Sequence, residues 1–215
     1  MQRLLLIRHG ESEWNRAGLI QGHSDCDLSD LGRAQAEWLR KRLDLEKIEV
    51  AWSSTSTRAL QTARIALAHR LPIESHDGLR EMKLGAWEGV KASELKRHSP
   101  RETEQWFREP SKVRIEGAEP LRSFRKRVTA AIDRIRDRHP DASIVIFTHG
   151  GVICSYLTRL LGLKLDDLWR FKIRNGSITH IIFPMDSPRI EVLNDVSHLN
   201  GAVRYAPNTP PQYLL

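Results

Sequence analysis

Two short apolar runs, Leu4 to Ile7 and Ile144 to Phe147, each lead within one residue into a His-Gly pair, His9-Gly10 and His149-Gly150. This repetition limits the fold more than any other feature of the chain. A four-residue apolar run bounded by polar residues reads as a strand buried on both faces, the pattern of a parallel sheet. Ligand sites in such sheets lie beyond the carboxyl ends of the strands, which is where both pairs fall. A single strand-end histidine is commonly structural, whereas two in the same context point to a functional pair. Gly10 and Gly150 are read as letting the backbone turn sharply at φ above zero and approach a ligand closely.

Strand and helix alternate along the rest of the chain. Leu31, Ala34, Trp38 and Leu39 have helical spacing behind a Ser29 cap, and Leu121, Phe124, Val128, Ala131, Ile132 and Ile135 repeat it. Glu49 to Ser53 predicts a short strand before a helix over about 58–68, and Val152 to Leu161 a helix ended by Gly162. Ser177 to Phe183 and Arg189 to Leu193 flank a turn-rich Pro184 to Pro188, which predicts an edge hairpin. The expected architecture is therefore α/β, a three-layer α/β/α sandwich with a largely parallel sheet and an antiparallel edge hairpin. One domain is expected over 1–215. The stretch from about 90 to 119 has helical pieces but no strand and reads as a cover over the site; about 203–215, rich in Pro and Asn, reads as a flexible tail or oligomer arm, so a homodimer is admitted.

Composition narrows the function classes. The formal charge of +7 would suit nucleic acid or an anionic small molecule. Its basic residues sit among acids in helical stretches, without the aromatic spacing of a single-strand binder, so a solvated surface is favoured and no nucleic acid is expected. The first residues hold only a four-residue apolar run, too short for a signal peptide or a membrane span, and a cytoplasmic protein with no membrane partner is expected. Cys26 and Cys154 match no zinc or CxxC spacing and read as reduced thiols. His23, Asp25, Cys26 and Asp27 offer ligands in one loop, but nothing elsewhere completes a metal site, and there is no GxxxxGK[ST], HExxH or GxGxxG motif.

Arg8-His9-Gly10-Glu11-Ser12, with Asn15 after it, resembles the RHG motif of the histidine phosphatase superfamily, the phosphoglycerate mutase-like proteins. Ser53-Ser54 with Arg58 to Ala63 is similar to the family's second arginine motif. Leu79-Arg80-Glu81 with Gly85 to Gly89 resembles its general-acid segment, and Thr148 to Gly151 its second-histidine motif. Gln21-Gly22, Leu28-Ser29 and Leu31-Gly32 also match, so the resemblance spans about 3–198.

The resemblance implies a phosphatase that transfers a phosphoryl group from a small-molecule phosphate ester to His9 and then to water, with no cofactor or metal. His9 would attack through a neutral imidazole whose other nitrogen is held as N–H by an acceptor. Arg8 and Arg58 would grip the phosphate, a cationic His149 would stabilise its charge, and Glu81 would protonate the leaving oxygen. Asn15, Gln21 and Gly150 are implied as substrate contacts. By itself Glu81 would read as a loop salt bridge, so its role comes from the resemblance. Among the six tryptophans only Trp87, beside the acid, is expected to touch substrate. Two other readings compete: a cofactor-dependent phosphoglycerate mutase, and a non-catalytic phosphate-binding protein on the same fold. Val90 to Glu119 is short and lacks the tyrosine of the mutases, and every catalytic position is filled, so phosphatase is favoured.

Overall fold

The computed structural model describes residues 1–199; the expected tail at about 203–215 lies outside the described residues. Among the described residues six strands form one sheet in the order β3-β2-β4-β1-β5-β6: β1 Gln2–Arg8, β2 Val50–Ser53, β3 Ile73–Ser75, β4 Ser143–Thr148, β5 Ile178–Phe183 and β6 Arg189–Asp195. The pairs β1/β4, β2/β4 and β2/β3 are parallel, while β5 runs antiparallel to both β1 and β6. The expected edge hairpin is thus present. β3 escaped the sequence pattern because it is a three-residue edge strand with two exposed side chains.

Side chains alternate across the strands, and the two faces carry different helices. Leu4, Leu6, Trp52, Ile144 and Ile146 pack with Phe124, Val128 and Ile132 of α6 (Leu121–Arg138) and with Val152, Ile153 and Leu157 of α7 (Gly150–Leu160). On the other face Leu5, Ile7, Ala51, Val145 and Phe147 pack with Leu39 and Leu43 of α2 (Asp30–Leu43) and with Ala63, Ala66 and Leu67 of α3 (Thr57–Leu67). This is the three-layer sandwich. Each Val, Leu, Ile or Phe side chain among these, fully withdrawn from water, stabilises the fold by about 1.5–3 kcal/mol relative to exposure. The Ser29 cap is real, its Oγ accepting from Gly32 N at 3.1 Å, and Gly162 closes α7 at φ +67°.

Topology places the site. The chain leaves β1 toward α2 on one face and leaves β4 into α7 on the other, so a crevice opens between the carboxyl ends of these neighbouring strands. Register aligns Arg8 with Thr148 and Ser53 with Phe147, which brings the segments after β1, β4 and β2 together. The stretch from about 90 to 119 holds two helices where helical pieces were expected, α4 (Ala92–His98) and α5 (Pro100–Arg108). Glu13–Ala17 forms the short α1.

Candidate active site

His9 follows β1 and is almost wholly buried. Its Nδ1–H donates to the Gly10 carbonyl at 2.7 Å, which leaves Nε2 as the basic nitrogen. Burial, with Arg58 and Arg8 nearby, holds its pKa well below the ordinary histidine value, so the ring is neutral. The expected acceptor is a backbone carbonyl of the neighbouring residue.

Arg58, on the first turn of α3, is 1 % exposed and presents Nε–H to His9 Nε2 at 3.3 Å. Its Nη2 donates to the Gly22 carbonyl at 2.9 Å and Nη1 to the Ser24 carbonyl at 3.1 Å. Burial pushes its pKa down to about 10, still cationic at neutral pH. Arg8 is also buried, with Nη1 donating to the Ile173 carbonyl at 2.7 Å. Two guanidinium groups withdrawn from water call for anionic charge close by, a demand that a phosphate dianion would meet.

His149 follows β4 and caps α7, its ring 5.1 Å from that of His9 at 63°. Its Nε2 lies 2.9 Å from Ser54 Oγ, beyond the end of β2. The sequence reading has this ring cationic. In the free site burial, then Arg58, His9, Arg8 and Arg80, hold its pKa well below the ordinary value and keep it neutral.

Glu81 is reached by two backbone donors, Met82 N to Oε1 and Gly151 N to Oε2, both at 2.8 Å. Burial nevertheless raises its pKa above the ordinary carboxylate value. A methyl group at Gly151 would sit 2.4 Å from Glu81 Oε1, so the absence of a side chain there is what admits the carboxylate. The glycine argument from sequence therefore needs correction. Neither Gly10 nor Gly150 has positive φ. Gly10 is required because a Cβ would come 2.5 Å from the Gly32 carbonyl oxygen, whereas a Cβ on Gly150 would make only ordinary contact, at 3.5 Å, with Arg8.

A slot beside these groups is lined by Arg8, Gln21, Glu81 and Gly150 and walled by Met82, Leu84, Trp106, Trp169, Ile173 and Cys154. Trp87 is not among its lining residues and instead meets Trp106 edge to face at 5.6 Å, so the sequence named the supporting ring and missed the two in the wall. Gln21 accepts from Ser12 Oγ at 2.9 Å and donates to Cys26 Sγ at 2.9 Å. Asn15 spends its side-chain oxygen on the α1 capping box and on Asn175, which leaves its amide N–H groups for a ligand. Asn175 was not foreseen: its Nδ2 donates to the carbonyls of His9 (3.1 Å) and Gly10 (3.3 Å) and braces the His9-Gly10 turn. In sequence it looks only like the first half of an Asn-Gly turn.

The His23 to Asp27 loop serves α3. Asp25 accepts from Thr57 N and Oγ1, and Asp27 accepts from Gln61 Nε2. Among the described residues no group of three or more His, Cys, Asp or Glu side chains is placed to hold a metal ion. Lys112 pairs with Glu109 and Arg114 with the Ser111 carbonyl, and neither lines the slot.

Residues 4–196 match the family model described as histidine phosphatase superfamily (branch 1). The chain is 35% identical over 200 residues to "Phosphoserine phosphatase 1" of Hydrogenobacter thermophilus, covering 93% of this chain and 95% of that protein. It is 37% identical over 203 residues to "Phosphoglycerate mutase-like protein 4" of Arabidopsis thaliana, covering 91% and 86%. Among solved structures, Bacillus stearothermophilus YhfR superposes with a TM-score of 0.87 at 33% identity, over 93% of this chain and all of that one.

Proposed function

The chain belongs to the histidine phosphatase superfamily, and from that premise we propose that it hydrolyses a small phosphate monoester through a phosphohistidine on His9. The observation that carries this reading is the pairing of a neutral, buried His9, its Nε2 free of a proton, with a buried carboxyl group of raised pKa on Glu81. In the first step Nε2 attacks phosphorus, the ester P–O bond breaks, and the leaving oxygen takes the Glu81 proton. In the second, water attacks the phosphohistidine, the P–N bond breaks, and the Glu81 carboxylate takes the water's proton. Arg8, Arg58 and the amino end of α7 offset the charge of the transferring group, which is the main task in phosphoryl transfer. Asn15, Gln21 and Gly150 complete the substrate contacts.

The slot walled by Met82, Leu84, Trp106, Trp169 and Ile173 suits a leaving group with an apolar portion. Such a wall favours hydrolysis over a mutase reaction, which needs a grip on the carboxylate of a sugar acid. We read residues 1–215 as one catalytic domain, and a cytoplasmic site of action fits the finding that no helix among the described residues is long and apolar enough to cross a membrane.

A panel of metabolite phosphates assayed for phosphate release tests this. Release from several monoesters, with little turnover of 3-phosphoglycerate plus a trace of bisphosphate, is expected. Rapid interconversion of 2- and 3-phosphoglycerate would establish the mutase reading instead.

A further inference from the structure

His149 is 0 % exposed, and among the described residues its Nδ1 has no hydrogen-bond partner. Buried polar atoms are nearly always paired, so an orphan in a candidate active site calls for an explanation. Its other nitrogen is fully engaged. Nε2 lies 2.9 Å from Ser54 Oγ, which in turn lies 3.4 Å from Ser56 Oγ and accepts from Ser56 N at 3.3 Å.

Two neutral tautomers fit these distances, and they differ in cost. With the proton on Nδ1, a buried N–H has no acceptor among the described residues, in a ring that already sits in the field of Arg58, Arg8 and Arg80. With the proton on Nε2, the ring donates to Ser54 Oγ, Ser54 donates to Ser56 Oγ, and only a lone pair is left unpaired. The same cations disfavour any further proton on the ring. An unsatisfied donor is the more expensive error, so the second arrangement prevails.

We propose that Ser54 is a positioning residue that keeps the proton of neutral His149 on Nε2, so that Nδ1 is the nitrogen that takes up a second proton when a phosphoryl dianion enters. This rests on the phosphatase reading of the pocket. The dianion opposes the field of Arg8 and His9 after β1, of Arg58 on α3 and of Arg80 before Glu81, the groups that hold the ring neutral in the free site. One proton then passes from solvent to Nδ1, which becomes a donor to a phosphoryl oxygen, and it returns to solvent when phosphate leaves. The cation expected from sequence is thus formed by the substrate.

The full chain labelled with ¹⁵N-histidine tests the proposal directly, with tungstate as a dianion that does not titrate near neutral pH. The His149 signals are assigned by their loss in His149→Gln. At pH 7.5 the free protein should show a protonated Nε2 and a bare Nδ1, and the tungstate complex should show both nitrogens protonated. Because the probe reads the ring itself, proton uptake by Glu81 does not interfere. Ser54→Ala should mix the tautomers and weaken tungstate binding roughly tenfold, the loss of about one hydrogen bond. A proton on Nδ1 in the free protein, a singly protonated ring in the complex, or an unchanged tautomer in Ser54→Ala would each overturn the role of Ser54. Absence of tungstate binding, together with no phosphate release from any monoester, would overturn the phosphatase reading on which the proton uptake rests. The tautomer in the free protein tests Ser54 even if Ser54→Ala does not fold.

Discussion

Arg58 Nε–H rests on the lone pair of His9 Nε2, 3.3 Å away, so the guanidinium covers the atom proposed to attack phosphorus. An entering phosphoryl group must take over that donor. The same guanidinium is anchored independently by the Gly22 and Ser24 carbonyls.

Arg58→Lys should therefore lower kcat/KM by roughly 100-fold or more, since an ammonium cannot hold the two carbonyls and a phosphoryl oxygen in one plane. Steady-state kinetics on an aryl phosphate would measure it. A loss under threefold would mean that the fork geometry is irrelevant.

His9→Ala should abolish turnover to below roughly one part in a thousand, as expected when a nucleophile is removed. Rapid quench of the wild type with labelled substrate should trap an acid-labile, base-stable phosphoenzyme that the variant cannot form. Substantial residual activity would exclude covalent catalysis at this position.

Glu81→Gln keeps the shape and removes the proton donor. An alkyl phosphate, whose alkoxide leaves poorly, should lose roughly 100-fold in single-turnover phosphorylation, and p-nitrophenyl phosphate much less. Equal losses for the two substrates would remove Glu81 from the acid role.

Gly151→Ala tests the same assignment without touching the carboxyl group. The new methyl would lie 2.4 Å from Glu81 Oε1 and must displace it. Alkyl phosphate hydrolysis should fall toward the Glu81→Gln level while aryl phosphate hydrolysis is largely kept. Unchanged alkyl activity would show that the contact of Glu81 with the start of α7 does not position it.

Stability should depend on pH through the two histidines. Both have pKa values below the ordinary 6.5 when folded, so between 6.5 and those lower values the unfolded chain binds more protons. Stability is then lost as pH falls below about 6.5, by up to about 1.4 kcal/mol per pH unit for each ring. Glu81 acts in the opposite sense, since its raised pKa costs stability as pH rises above 4.5. Urea unfolding from pH 8 to 5 should show the acid-side loss in the ligand-free protein and a shallower one in His149→Asn. Parallel curves would contradict neutral burial of His149.

Much of this protein was written in local pattern. The buried strands are apolar runs, α6 is a clean helical repeat, Ser29 is a cap, and Gly162 ends α7, because each depends on neighbours within a few residues. The resemblance of the His9, Arg58, Glu81 and His149 motifs also anticipated which residues meet. Long-range approach decided the rest. That Gly151 rather than Gly150 makes room for Glu81, that Trp106 and Trp169 rather than Trp87 wall the slot, and that Asn175 braces His9 all follow from contacts between segments far apart in the chain. Protonation was decided there too: the neutrality of His149 arises from burial and from arginines on three other segments, a field that exists only once the sheet has brought them together.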